Sequence, residues 1–358
     1  MTTLIIPAAG LSTRYSLSRP KFLLQHPRGL TMLSAGLVGI SKYEFDEVII
    51  VSLNRYFSDI SKSSLSNEVS SVLNCPVKFV LLEEPTASMV DSIAAGIETM
   101  GIDGPIVVKD SDNLVTLDSN ELFGKNFLVY AELEKFSSVK ASNKSFVEID
   151  SQGFISNIVE KRIISGQINS GLIGFQSASD FLRAMQKVSG AREKYVSDIV
   201  RYLLGDGEVF WGQSASDYID WGTLVEWTQY CSTFATLFVD IDGVLATNEN
   251  PHGNEGNNWN SFKPITENID PLLQGVNQER YFVVFTTSRS EKYRESLIQN
   301  LREIGFKNFE LVMGLPHAKR IVINDFAPTN PYPSALAINL ERNSTRLSEY
   351  LSPLFPPE

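Results

Sequence analysis

Four short runs rich in β-branched residues, Thr3–Pro7, Glu47–Ser52, Val77–Leu82 and Gly104–Lys109, are separated by segments with helical periodicity. That alternation constrains the fold more than anything else in the chain, because strands joined through helices must run parallel and bury both faces of their sheet. Met89, Ile93, Ile97 and Met100 recur at helical spacing, which predicts a helix over Ser88–Met100 with those four on its buried stripe. A second start follows: helix-like Trp221–Tyr230 gives way to a fresh apolar strand, Ala235–Asp240, then a strand at Tyr281–Thr286, a helix at Glu291–Ile304 and a strand at Arg320–Asn324. With 358 residues the chain exceeds one ordinary core, so the expectation is two α/β domains, 1–233 and 234–358, each a mainly parallel Rossmann-like sheet flanked by helices.

A formal charge of -11 without a basic block excludes a nucleic-acid groove or an anionic membrane surface as the natural partner. No apolar run approaches membrane-spanning length, and a core-type strand begins within a few residues of the start, so the expected location is the cytoplasm. The two cysteines, Cys75 and Cys231, have no metal-like spacing and fit a reducing compartment.

The first run closes in Ala8-Ala9-Gly10-Leu11-Ser12-Thr13-Arg14, followed by Arg19-Pro20-Lys21. Small residues such as Ala8 and Gly10 let backbone N–H groups meet phosphate oxygens, and Arg14 and Lys21 add charge-assisted bonds. Val107–Asn113 and Asp217–Thr223 each end in carboxylates, hard oxygen donors that suit Mg²⁺. Together with Gly29–Leu33, Ile158–Lys161 and Asn169–Phe175, these segments resemble, in order and up to about residue 230, the signatures of the sugar-1-phosphate nucleotidyltransferases.

The resemblance implies a GT-A-like nucleotidyltransferase domain in which Arg14, Lys21 and Lys161 are catalytic and Asp112 and Asp220 hold Mg²⁺, with Asp110 left as a turn or cap residue. It further implies that Glu160 orients the acceptor, Lys161 grips its phosphate, Asn169 helps fix it, and Ala87 in the turn Glu84–Ser88 lies beneath the nucleobase. Ser12 stands where the family has a second Gly, and Ser88-Met89 replaces a small apolar pair, which leaves the base open. Tyr195–Asp198 matches a further landmark or is a helix cap. An anionic acceptor phosphate needs no covalent nucleophile, and none of the three histidines, His26, His252 and His317, falls in these motifs.

In the second half, Phe238-Val239-Asp240-Ile241-Asp242-Gly243 resembles the first motif of the haloacid-dehalogenase-like phosphatases. The resemblance implies Asp240 as nucleophile and metal ligand, Asp242 as acid/base and ligand, Thr287 of Thr286-Thr287-Ser288-Arg289 as the phosphoryl-binding hydroxyl, and Asp325 as a further ligand. Leu315 stands where that family has a Lys, leaving Lys319 or Arg320 to reach the phosphoryl group, and Asn324 replaces one acid.

The expected function is therefore bifunctional: Mg²⁺-dependent transfer of a nucleoside monophosphate from a nucleoside triphosphate to a sugar 1-phosphate, and an aspartyl-phosphate phosphatase. A cytidylyltransferase for phosphocholine or a phosphorylated amino acid stays open, as does a nucleotide-binding scaffold with an inactive second domain. Partners are the triphosphate and a small phosphorylated acceptor, with homo-oligomerisation left open.

Overall fold

The computed structural model describes residues 2–10, 20–119, 125–136, 143–188, 194–248, 259, 261–324 and 335–355. Arg14 and Asp325 lie outside the described residues. The chain divides into two compact units, Met1–Trp227 and Thr228–Glu358.

The first unit is organised on β1 (Thr3–Ala8), which is buried along its whole length. Leu4 and Ile6 enter the core on one face of the sheet and Ile5 the core on the other, as a central strand with period-two side chains requires. The chain continues through α1 (Met32–Leu37), β2 (Glu47–Leu53), α2 (Asp59–Leu73), β3 (Val77–Leu82), α3 (Met89–Met100) and β4 (Ile106–Lys109). Strands β2 and β4 flank β1 in parallel, and β3 extends the sheet beyond β2. Chain order therefore reverses between β1 and β4.

Next come β5 (Asn113–Thr116), β6 (Phe127–Glu132), β7 (Ser145–Ile149), β8 (Ile155–Glu160), β9 (Gln167–Phe175), α4 (Ala178–Lys187), α5 (Val196–Gly205), β10 (Trp211–Ser214), β11 (Asp217–Asp220) and α6 (Leu224–Ser232), within which the two units divide. Strand β9 runs antiparallel to β4, β6 and β7, so the sheet is parallel through β4, β1, β2 and β3 and mixed beyond β4. Strands β5 and β11 form a separate antiparallel ribbon.

Helix α3 corrects one expectation. Its buried apolar side chains are Val90, Ile93, Ala94 and Ile97, whereas Met89 is 40% exposed and Met100 is half-buried. Ser88 caps the helix by accepting from Asp91 N, so Met89 is the first helical residue and stands at the helix mouth, outside the stripe that begins at Val90.

Gly36 and Gly39 let α1 and the turn after it lie directly against β5, since a Cβ at either would overlap the backbone oxygen of Asn113 or Val115. Gly39→Ala is expected to cost the first unit about 1–3 kcal/mol. A lowered denaturant midpoint would register this, and an unchanged midpoint would mean that the helix has room to withdraw.

The second unit carries β12 (Ala235–Asp240), α7 (Thr266–Asn277), β13 (Tyr281–Thr286), α8 (Arg294–Glu303), β14 (Glu310–Val312) and α9 (Leu347–Leu351). The three strands pair in parallel in that order over a core that includes Val239, Leu272, Phe285, Leu297 and Phe306. The strand expected at Arg320–Asn324 is not formed, and Ile323 is 92% exposed. A β-branched run becomes a strand only where a neighbour takes up its edge, and no described strand does so there. Among the described residues no helix is long and apolar enough to cross a membrane.

Candidate active site

A cleft of about 780 Å³ opens in the first unit at the carboxyl ends of β1 and β4. This is where chain order reverses, and open α/β sheets bind ligands at such switch points. Pro7, Ala8, Ala9 and Gly10 leave β1 along one wall, and Asp110, Ser111 and Asp112 leave β4 along the floor.

Two carboxylates far apart in sequence meet on that floor. The ribbon pairs Asp220 with Asn113, and Trp221 N donates to Asp112 O at 2.9 Å, which fixes the ends of β4 and β11 side by side. A Cβ placed on Gly222 would stand 3.1 Å from Asp220 Oδ1 and 3.6 Å from Asp112 Oδ2, so both carboxylates flank one point. Each carries an ammonium: Lys21 is paired with Asp112, and Lys144 with Asp220 at 2.5 Å. Lys144 also donates to the Tyr218 hydroxyl at 2.9 Å.

Burial alone would raise the Asp112 carboxyl, but the charge and hydrogen bond of Lys21, with Lys144 and Lys109 behind it, bring it down to about 2. Asp110 goes the other way, pushed up to about 6 by burial and then by Asp112. Burial works against the charge on Lys144, yet Tyr218 and Asp220 outweigh it and its pKa is raised. Fully buried Lys109 donates at 2.9 Å to the carbonyls of Asp110 and Asn113 and bonds Asn113 Oδ1; burial lowers it to about 8. Its role is to tie the turn that carries both Asp110 and Asp112.

A divalent cation fits the point between Asp112 and Asp220, because both donors are hard oxygens and two lysines already supply the positive charge it would bring. Among the described residues no three His, Cys, Asp or Glu side chains group to hold a metal. Such an ion would rest on these two carboxylates and complete its shell with phosphate oxygens and water, the usual habit of Mg²⁺.

Pro85, Thr86, Ala87, Ser88 and Met89, before and at the start of α3, line the cleft. Ser88 caps that helix and Thr86 bonds Ser92 at 2.6 Å, so Ala87 sits in a turn held from both sides. Glu160, Lys161, Asn169, Tyr195 and Ser197 also line the cleft. Glu160 closes β8 and accepts from Ser145 and, at 2.9 Å, from Ser197. Ser197 therefore holds Glu160, while Asp198 caps α5 by accepting from Tyr195 N. Lys161 adopts a left-handed φ of 55° and donates to the Tyr195 hydroxyl at 2.8 Å, its ammonium 4.5 Å from that ring's centre. Asn169 Oδ1 accepts from Gly171 N at 3.0 Å. Gly171 has φ 78° and faces Asp110, whose carboxylate a side chain there would meet.

Sequence reasoning missed Lys144 and Tyr218. Lys144 precedes β7 in no recognisable motif, and Tyr218 reads as an ordinary core aromatic.

The second unit gathers its own cluster. Arg289, 3% exposed, holds Asp242 through Nε and Nη2, at 3.0 and 2.7 Å to Oδ1, and donates Nη1 to Trp259 O at 2.8 Å. Fully buried Thr287 donates to Asp242 Oδ2 at 2.9 Å. Asp240 closes β12, and its pKa is raised by burial and by Asp242, against the opposing charge of Arg320. Arg320, itself exposed, pairs with Asp240 at 3.2 Å, and among the described contacts Lys319 does not.

No protein-family model matches the chain, and no curated protein matches it. Solved structures do. The nucleoside-diphosphate-sugar pyrophosphorylase from Vibrio cholerae RC9 is 18% identical with a TM-score of 0.55, the likeness covering 64% of this chain and 99% of that one. An inositol-1-phosphate CTP transferase from T. maritima is 13% identical at a TM-score of 0.51, over 63% of this chain and 90% of the other. A UDP-glucose pyrophosphorylase complexed with UDP-glucose is 16% identical at 0.50, over 64% and 97%. The chain thus contains a mixed α/β fold of the kind found in nucleotidyltransferases.

Proposed function

We propose that the first unit is a nucleotidyltransferase that joins a nucleoside monophosphate to a small phosphorylated acceptor, a sugar 1-phosphate, and releases pyrophosphate. The observation that carries this is the meeting of Asp112 and Asp220 at one point, each with a lysine, in a cleft at the switch point of the sheet. The solved structures of like fold, which include enzymes of sugar nucleotides and of inositol 1-phosphate, support it.

An acceptor phosphate oxygen forms a bond to the α-phosphorus while the bond from that phosphorus to the bridging oxygen breaks, and its electron pair leaves with pyrophosphate. The acceptor is already anionic, so no base is needed. A Mg²⁺ held by Asp112 and Asp220 would neutralise phosphate charge and orient the triphosphate. Lys21, beside Asp112, can follow the triphosphate; Glu160, held by two serines, offers a fixed acceptor for a hydroxyl. Ala87 leaves room for a base against the backbone of its turn.

The test is pyrophosphate release by the full-length protein with Mg²⁺, each nucleoside triphosphate set against sugar 1-phosphates, inositol 1-phosphate, phosphocholine and phosphorylated amino acids. Release with one pair names both substrates, and triphosphate binding without release throughout would favour a nucleotide-binding scaffold.

For the second unit the proposal is phosphate-ester hydrolysis. Asp240 attacks phosphorus and the ester oxygen leaves with a proton from Asp242; water then gives a proton back to Asp242 as it attacks phosphorus, releasing phosphate and the Asp240 carboxylate. Asp242 must leave Arg289 and Thr287 to serve as that acid. Asp240→Asn is expected to abolish phosphate release from p-nitrophenyl phosphate while pyrophosphate release continues. Unchanged phosphate release would sink the assignment of the nucleophile.

A further inference from the structure

We propose that Lys144, rather than Lys161, is the catalytic residue that meets the acceptor's phosphate, exchanging Asp220 for that phosphate when substrates enter. The inference rests on the transferase reading.

Both lysines line the same cleft and flank the paired strands β7 and β8, Lys161 N donating to Lys144 O at 2.9 Å. Their ammonium groups go to different places. Lys161 is exposed and held on Tyr195, at the start of α5. The Lys144 side chain is 18% exposed, and its Nζ sits on the carboxylate floor, 2.5 Å from Asp220 Oδ2.

In-line transfer brings the attacking oxygen within roughly 3–3.5 Å of the α-phosphorus. That phosphorus lies where the two carboxylates converge, if they hold the cation that binds the triphosphate. The acceptor phosphate, itself an anion, must therefore approach Asp220. A cation is needed at that spot, and Lys144 is the one the described residues bring there. Tyr218 and Asp220 lie two residues apart on β11, so both point to one side of it and both hold Lys144. Were the Lys144 ammonium released from Asp220, its bond to the Tyr218 hydroxyl would keep it within reach of the incoming phosphate.

The floor is then a pair of exchanges. Lys21 and Lys144 neutralise Asp112 and Asp220. Were a divalent cation held by the two carboxylates, Lys21 would be released toward the triphosphate and Lys144 toward the acceptor. Lys161, with Glu160 and Tyr195, is left to grip a more distant part of the acceptor.

Two readouts test this. The first is steady-state pyrophosphate release with the best substrate pair. Lys144→Met should lower kcat about a hundred-fold or more, with the triphosphate KM within about twofold, as for loss of a group that stabilises charge in the transition state. Lys161→Met should instead raise the acceptor KM about ten-fold with kcat nearly kept, and Lys144→Arg should recover part of the lost rate. The opposite split, Lys161→Met taking the kcat loss, would overturn the assignment.

The second readout is Mn²⁺ binding to nucleotide-free protein, followed by electron paramagnetic resonance in the Asp240→Asn background so that the second unit offers no carboxylate at that position. Without its resident ammonium, Asp220 should bind Mn²⁺ about ten-fold more tightly in Lys144→Met than in the parent. Equal affinity would overturn the exchange. If the unsubstituted protein releases no pyrophosphate with any pair, the transferase reading falls, and the Mn²⁺ titration alone decides whether Lys144 is the counterion that a metal displaces.

Discussion

Asp220→Asn is expected to lower kcat for pyrophosphate release by about 10³-fold or more, on the scale of removing a principal charge-stabilising group. The substitution keeps the side chain's shape, and an Asn oxygen can still accept from Gly222 N, as Asp220 Oδ1 does at 3.1 Å. What it removes is one of the two negative charges that converge beside Gly222. A divalent cation held as proposed would lose half of its anionic donors from the protein, and Lys144 loses its charged partner. The measurement is pyrophosphate release by the full-length variant across a Mg²⁺ titration. Rates near those of the unsubstituted enzyme would refute the metal assignment, and an unchanged thermal unfolding midpoint of the variant serves as the control for folding.

Arg289→Met is expected to destabilise the second unit by about 3 kcal/mol. The guanidinium is almost wholly buried and satisfies Asp242 and the Trp259 carbonyl together. Met fills much of the volume but leaves Asp242 without its charged donor, with Thr287 remaining on Oδ2, and takes the Arg289 donor from the Trp259 carbonyl. Thermal unfolding would register the loss, and a double variant, Asp242→Asn with Arg289→Met, should lose less than the two single variants combined, because they share one interaction. An Arg289→Met protein as stable as the unsubstituted chain would show that the Asp242–Arg289 pair is not a structural support.

The parallel half of the first sheet was legible from the four β-branched runs, since a strand buried on both faces is written as a continuous apolar stretch. Strand Val77–Leu82 coincides with the expected run, as does Ala235–Asp240. The failures have physical causes. Met89 fits the spacing of a buried stripe, but the Ser88 cap makes it the first residue of its helix, at the cleft rather than beneath it. Arg320–Asn324 has the composition of a strand, but no described neighbour pairs with it.

The site divides in the same way. The turn at Ala8–Gly10, the carboxylates after β4 and β11, and the pair Glu160-Lys161 are local motifs, readable because each chemistry is written in adjacent residues. Lys144 and Tyr218 carry no such pattern, and the motif around Ser197 did not show that its hydroxyl holds Glu160. They matter because antiparallel pairing of β5 with β11 places Asp220 beside Asp112, and because Ser145 at the start of β7 and Ser197 in α5 both reach Glu160.

By itself, then, the sequence determined the alternation of elements, the closing turn of β1 and the residue types able to handle phosphate and a divalent cation. The tertiary structure decided which lysine belongs to which carboxylate, that Arg289 rather than solvent holds Asp242, and that Arg320 rather than Lys319 meets Asp240. Propensity and spacing act within a few residues along the chain. Charge pairing acts over a few ångströms of space, between residues that only the folded chain brings together.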